Sequence, residues 1–180
     1  MYGLVNRAIE DMAIQAGGYE IWEAIKLKAG VDVATFISMQ TYPDEVTYKL
    51  VDSASQILGV PANELLRQFG KHWILFTAKE GYGDLLKTSG TNIREFLGNL
   101  DTMHSRIAST MTDLKPPSFE CIDINDKKLQ VLYYSDRQGL APMVVGLLEG
   151  LGEMFNVDVK VTHQNTNVEK GYDTFELEYI

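Results

Sequence analysis

Two groups of residues in this sequence carry side chains suited to chemistry. The first is a lone histidine in NIREFLGNLDTMHSRIASTM, residues 92–111. There Ile93, Phe96, Leu97, Leu100, Ile107 and Met111 recur at helical spacing and mark an inward stripe. His104 falls on that stripe, between Leu100 and Ile107. A buried imidazole needs a partner, because an unpaired buried polar group costs about 1–3 kcal/mol. Taken alone, the stripe fits a core histidine bonded to backbone better than a metal ligand. The second group is in KLQVLYYSDR. Side chains two apart share a strand face, so Leu129, Val131 and Tyr133 point inward, and the same face carried on adds Ser135 and Arg137. Two hydroxyls and a guanidinium in a row suit a carboxylate or phosphate ligand. The alternative is that the strand ends near Ser135 and leaves Arg137 solvated.

The elements that must position these residues come in two kinds. Leu4, Val5, Ala8, Ile9 and Met12 form a helical stripe closed by Gly17-Gly18, and Ile21, Trp22, Ile25 and Leu27 belong to a second helix before Gly30. Tyr42-Pro43-Asp44 opens a helix bearing Val46, Leu50, Val51, Ala54 and Leu58, and Pro61 opens another to about Thr77. Gly81-Tyr82-Gly83 and Ser89-Gly90 punctuate a short segment, and Asn92 with Glu95 resembles a capping box that starts the His104 helix. At Pro116-Pro117 the pattern changes, since the pair cannot continue a helix. Ser118–Ile124 and Lys128–Ser135 read as strands, Gly139–Phe155 as a helix, and a second hairpin follows with Gln164–Tyr172 as its polar loop. The expected fold is therefore α+β: a mostly helical lobe, about residues 1–115, packed on a lobe of about 116–180 with a four-stranded antiparallel sheet and a helix.

Composition narrows the partners. The 180 residues carry a net charge of −9, which argues against duplex nucleic acid. A single cysteine, Cys121, forms no internal disulfide, and no apolar run nears the roughly 20 residues of a membrane span. A cytoplasmic chain that does not engage membrane is expected. Gly146, Gly150 and Gly152 sit in a helical pattern, not a phosphate loop, and no zinc cluster, Ser–His–acid set or carboxylate pair is visible. His72 and His163 read as surface or boundary residues, and Cys121 as a buried, inert thiol.

Tyr133-x-Ser135-x-Arg137 with a histidine in an upstream helix resembles the signature of the haem–nitric oxide/oxygen-binding (H-NOX) family, of the stand-alone bacterial type related to the soluble guanylate cyclase sensor domain. The likeness runs through MYGLVN, LDTMHSR, KPPSFEC, YYSDRQGL and GLLEGLG, so it spans essentially one whole domain, residues 1–180. It implies haem b (iron protoporphyrin IX) as cofactor, with His104 as the iron ligand and Tyr133, Ser135 and Arg137 on the propionates. Pro117 matches the family's proline that presses on the haem, its choice over Pro116 being a matter of alignment. Oxygen-binding members place a tyrosine over the ligand from the helix after the arginine. Residues 138–162 contain no tyrosine, so an apolar gas pocket of Val5, Trp73, Phe76, Met143 and Leu147 is expected, with the Trp73 indole N–H as the one donor. The resemblance thus implies a sensor of nitric oxide and carbon monoxide, not an enzyme, disfavouring oxygen and signalling to a histidine kinase or a cyclic-nucleotide-type enzyme. The alternative is a haem enzyme acting on nitric oxide or peroxide.

Overall fold

Glycine and proline punctuate the helical half where the sequence places them. The computed structural model describes residues 1–180, apart from the side chains of Ala78 and Lys79. Helix α1 spans Gly3–Ala29 and bends at Gly17 and Gly18, the latter at φ 82°, so two helical segments join there. Helix α2 (Asp44–Leu58) and helix α3 (Ala62–Thr77) follow. A π-helical turn over Ala78–Tyr82 leads into the short α4, Gly83–Thr88. Helix α5 covers Ile93–Ala108. Its Asn92 cap accepts from the Glu95 N–H at 3.0 Å, but the Glu95 carboxylate accepts from the Thr91 N–H and not from the Asn92 N–H, so only half of the expected capping box forms.

The second half is β1 (Ser118–Asn125), β2 (Lys128–Tyr134), α6 (Ala141–Met154), β3 (Val159–Asn167) and β4 (Tyr172–Tyr179). The sheet is antiparallel throughout, in the order β1-β2-β4-β3. Register sets Cys121 opposite Val131, Val131 opposite Phe175, and Leu129 opposite Leu177, building one apolar face that α5 and α6 cover. The polar run taken for a loop instead extends β3 to Asn167, paired with Tyr172. Backbone bonding to β4 is enough to hold it, and no apolar alternation is needed in a two-stranded arm standing clear of the core.

Packing divides the chain differently from sequence order. Buried residues of α1, α2 and α3 form one cluster around Trp22, Ile25 and Leu50. The second cluster joins Ile93, Phe96, Leu97 and Leu100 of α5 to Leu129, Val131, Phe175 and Leu177 of the sheet and to Leu148 and Leu151 of α6. Helix α5 thus packs with the sheet although it precedes the prolines. Each such buried side chain contributes about 1.5–3 kcal/mol of apolar burial.

Helices α3 and α6 bridge the clusters at close range. A Cβ on Gly70 would lie 2.0 Å from the Met143 carbonyl oxygen, and one on Gly146 would lie 1.8 Å from that of Arg67. Only glycine permits that approach. Arg67 then reaches Glu149 with two bonds, 3.0 and 2.6 Å, and Lys71 lies 2.6 Å from Glu153.

Candidate functional site

A cavity of about 300 Å³ opens where the two clusters meet. Its lining joins residues far apart in sequence: Val5 of α1, Trp73 of α3, His104 of α5, Pro117 of the following loop, Tyr133, Ser135 and Arg137 after it, and Met143 and Leu147 of α6. Its size is that of a small-molecule site, and its wall is mostly apolar with a few polar groups.

His104 contributes the most costly feature. Its Nδ1 is buried with no hydrogen-bond partner. Burial pushes the imidazole below its ordinary pKa, and the Asp101 carboxylate and Pro117 carbonyl oppose this without outweighing it. A neutral imidazole at a cavity wall keeps a lone pair for a ligand, the state a metal requires. The Pro117 carbonyl is the backbone group that acts on the imidazole, so the backbone contact expected of a core histidine is present in part.

The opposite rim is polar. Strand β2 ends at Tyr134, as the plainer reading required, yet Arg137 is not left in solvent. Its N–H donates to Ser135 Oγ at 3.1 Å, a turn that swings the side chain back across the cavity mouth. Its Nε donates to Asp44 at 2.8 Å and Nη1 to the Lys115 carbonyl at 3.0 Å. Asp44 also receives the Met1 ammonium. Burial pushes the Asp44 carboxyl up, but hydrogen bonds from that ammonium and from Arg137 together hold it below its usual value. Burial pushes the Tyr133 phenol up, with the Ser135 hydroxyl and Arg137 pulling partway back. The rim is thus a set of donors with a net cationic fork, suited to a carboxylate.

Phe76 does not join the cavity wall. Its ring packs 6.4 Å from Trp73 and 5.8 Å from His72. The lining of α3 comes from Leu66, Phe69, Trp73, Ile74 and Thr77, whereas Phe76, almost in helical phase with Phe69, is buried in the α1–α3 cluster. Thr77 takes the place instead, its hydroxyl spent on the Trp73 carbonyl at 2.7 Å. The four-residue step from Trp73 in the sequence could have found it. His72 is more enclosed than a surface reading allows, with Nε2 3.0 Å from Asp11, while His163 lies 2.9 Å from Asp173 on the outer arm.

Four tyrosines line the cavity although α6 has none: Tyr2, Tyr48, Tyr82 and Tyr133. Tyr2 accepts from the Asp113 N–H at 3.0 Å, and Tyr82 packs with the α1–α3 cluster. A cavity at the seam of two clusters draws phenols from elements well separated in sequence, not from the helix after Arg137 alone.

An imidazole whose charged form is disfavoured on one wall, a donor set for carboxylates on the rim and an apolar interior between them fit an iron porphyrin. His104 would hold the iron, and Tyr133, Ser135 and Arg137 the propionates. Among the described residues no cluster of three or more His, Cys, Asp or Glu offers a separate metal site.

Fold and site together define a haem-pocket domain of the sensor type. A Haem-NO-binding family model matches residues 2–163, and the chain belongs to that family. It is 29% identical over 184 residues to soluble guanylate cyclase gcy-35 of Caenorhabditis elegans, covering 100% of this chain and 27% of that protein. It is 35% identical over 106 residues to guanylate cyclase soluble subunit beta-2 of Rattus norvegicus, covering 58% of this chain and 16% of that one. The chain thus spans about a quarter, or less, of the curated relatives it matches. Among solved structures, an H-NOX protein from S. oneidensis in the Fe(II)NO state superposes with TM-score 0.87 at 18% identity, covering 100% and 99% of the two chains. An unliganded Fe(II) H-NOX mutant from K. algicida superposes with TM-score 0.86 at 20% identity, covering 100% and 97%. These likenesses show the fold.

Proposed function

We propose that this chain is a haem-based gas sensor that takes nitric oxide or carbon monoxide in preference to oxygen and relays the event to a signalling enzyme. The observation that carries the reading is the single cavity joining His104 to the Tyr133, Ser135 and Arg137 rim. Haem b would supply a ferrous iron with one open position for a diatomic ligand. His104, on α5, would hold that iron through a neutral imidazole. Tyr133, Ser135 and Arg137 would orient the propionates, and Pro117 would pack against the macrocycle. Val5, Met143 and Leu147 exclude water and offer no hydrogen bond, which favours ligands that need none. An enzyme acting on peroxide would need an acid–base group in that wall, and these three side chains provide none.

The relatives are guanylate cyclases, which supports a cyclic-nucleotide-type enzyme as listener, with a histidine kinase as the other candidate. Among the described residues no helix is long and apolar enough to cross a membrane, and the site of action we assign is cytoplasmic. The test is spectroscopic. Purified ferrous protein supplemented with haem should show a Soret band that shifts with nitric oxide and carbon monoxide and stays unchanged in air. His104→Gly should lose stable haem until imidazole is added. A stable oxy spectrum overturns the gas preference, and unaltered haem retention in His104→Gly removes His104 from its role.

A further inference from the structure

Haem carries two propionates, and the Tyr-x-Ser-x-Arg cluster offers one guanidinium. That guanidinium is partly committed, with Nε on Asp44 and Nη1 on the Lys115 carbonyl. The rim also carries the Asp113 carboxylate, and the Met1 ammonium beside it is committed, like Arg137, to Asp44, in a chain of net charge −9. A second propionate without its own counter-charge would meet repulsion there.

Two other groups on the rim remain available. Lys115 lines the cavity, is exposed and makes no ion pair among the described residues. Its backbone is fixed twice: Arg137 takes its carbonyl, and Pro116 confines it to extended conformations. A flexible ammonium on a fixed base suits a partly solvated anion. Tyr48 projects from α2 one turn beyond Asp44 and also lines the cavity. Its hydroxyl is 3.5 Å from the Gln138 carbonyl, the far limit of a hydrogen bond, so a better acceptor would displace that contact. Burial and then the Asp44 carboxylate raise its pKa while Arg137 lowers it, so the phenol shares the electrostatic neighbourhood of the rim.

We propose that the Lys115 ammonium and the Tyr48 hydroxyl hold one haem propionate while Tyr133, Ser135 and Arg137 hold the other; the assignment rests on the haem reading above. It splits the anchor between three elements: α2, the loop after α5, and the segment after β2. It also gives the loop that leaves the His104 helix a direct grip on the haem edge.

The test is the rate of haem transfer from the loaded protein to excess apomyoglobin, followed at the Soret band and repeated across ionic strength. Lys115→Met should speed transfer about three- to ten-fold, the range for a lost, partly screened charge contact, and should flatten the salt dependence. Tyr48→Phe should speed it by a smaller factor. Lys115→Arg should keep the wild-type rate, as should Lys127→Met on the remote β1–β2 turn. Wild-type transfer in Lys115→Met, or an equal rise in Lys127→Met, overturns the role of Lys115, and wild-type transfer in Tyr48→Phe overturns that of Tyr48. A wild-type chain that shows no Soret band at all fails the haem reading itself, a result distinct from either.

Discussion

Gly146→Ala isolates how much the α3–α6 contact is worth. On an open helix face this change stabilises, because alanine exceeds glycine in helix propensity by about 1 kcal/mol. Here the new Cβ would sit 1.8 Å from the Arg67 carbonyl oxygen, 2.7 Å from its carbon and 3.0 Å from its Cα. All three are backbone atoms, so no side chain can rotate away. Reaching ordinary contact distance requires the helices to part by about 1.5 Å, and a gap of even 0.5–1 Å forfeits roughly a quarter to a half of each dispersion well along the seam. Overpacking costs about 1–3 kcal/mol, and loosened contacts around Arg67 and Glu149 add to it. Net destabilisation of about 2–4 kcal/mol should lower Tm by roughly 4–15 °C for a chain of this size. Gly98→Ala is the matched control, since nothing lies within 4 Å of its Cβ position in α5, and it should be neutral or stabilising. Thermal denaturation of both variants beside the parent measures the difference. Equal or higher Tm in Gly146→Ala would refute the close-approach argument, as would an equal loss in Gly98→Ala.

Asp44→Asn should cost at most about 1 kcal/mol at neutral pH, because its side chain is more than a third exposed and the pairing is screened. The carboxyl is held below its ordinary value when folded, so its contribution is present at neutral pH and is lost as pH falls through that lowered value. Urea melts should therefore show the gap between variant and parent closing in acid, and a gap of constant size counts against the pairing. The Cys121 thiol is pushed up to about 11, first by burial and then by Asp123. At pH 8 about one molecule in a thousand carries the thiolate, so iodoacetamide should label the native chain far more slowly than the urea-unfolded chain. Comparable rates would mean that the thiol is neither shielded nor shifted.

Much of this was legible in sequence because the signals are local. Helical stripes, prolines and strand alternation depend on neighbours a few residues apart, and the helix bounds Ala62–Thr77 and the strand face Leu129, Val131 and Tyr133 need nothing else. The extent of β3 was not legible, since residues 164–167 are polar on both faces and their state is set by a partner strand. Within the site, Arg137 was visible as an anion binder, but its partner Asp44 lies 93 residues away and only the fold brings them together. Phe76 packs in the α1–α3 cluster, a partition between cavity wall and core that the contacts of the whole fold decide and local spacing does not.

Helix α5 is also stitched to the sheet close to its histidine. Asp101, three residues before His104, accepts from the Ser118 hydroxyl at 2.6 Å and lies 3.4 Å from the Phe119 N–H, at the first residues of β1. Any shift of α5 along its axis must break that stitch or drag the start of β1 with it. Because β1 is an outer strand of the sheet, the drag would surface on an unpaired backbone edge. The Asp101 carboxylate is one pin between helix and strand, and Arg94, paired with Asp123 further along β1, is the other.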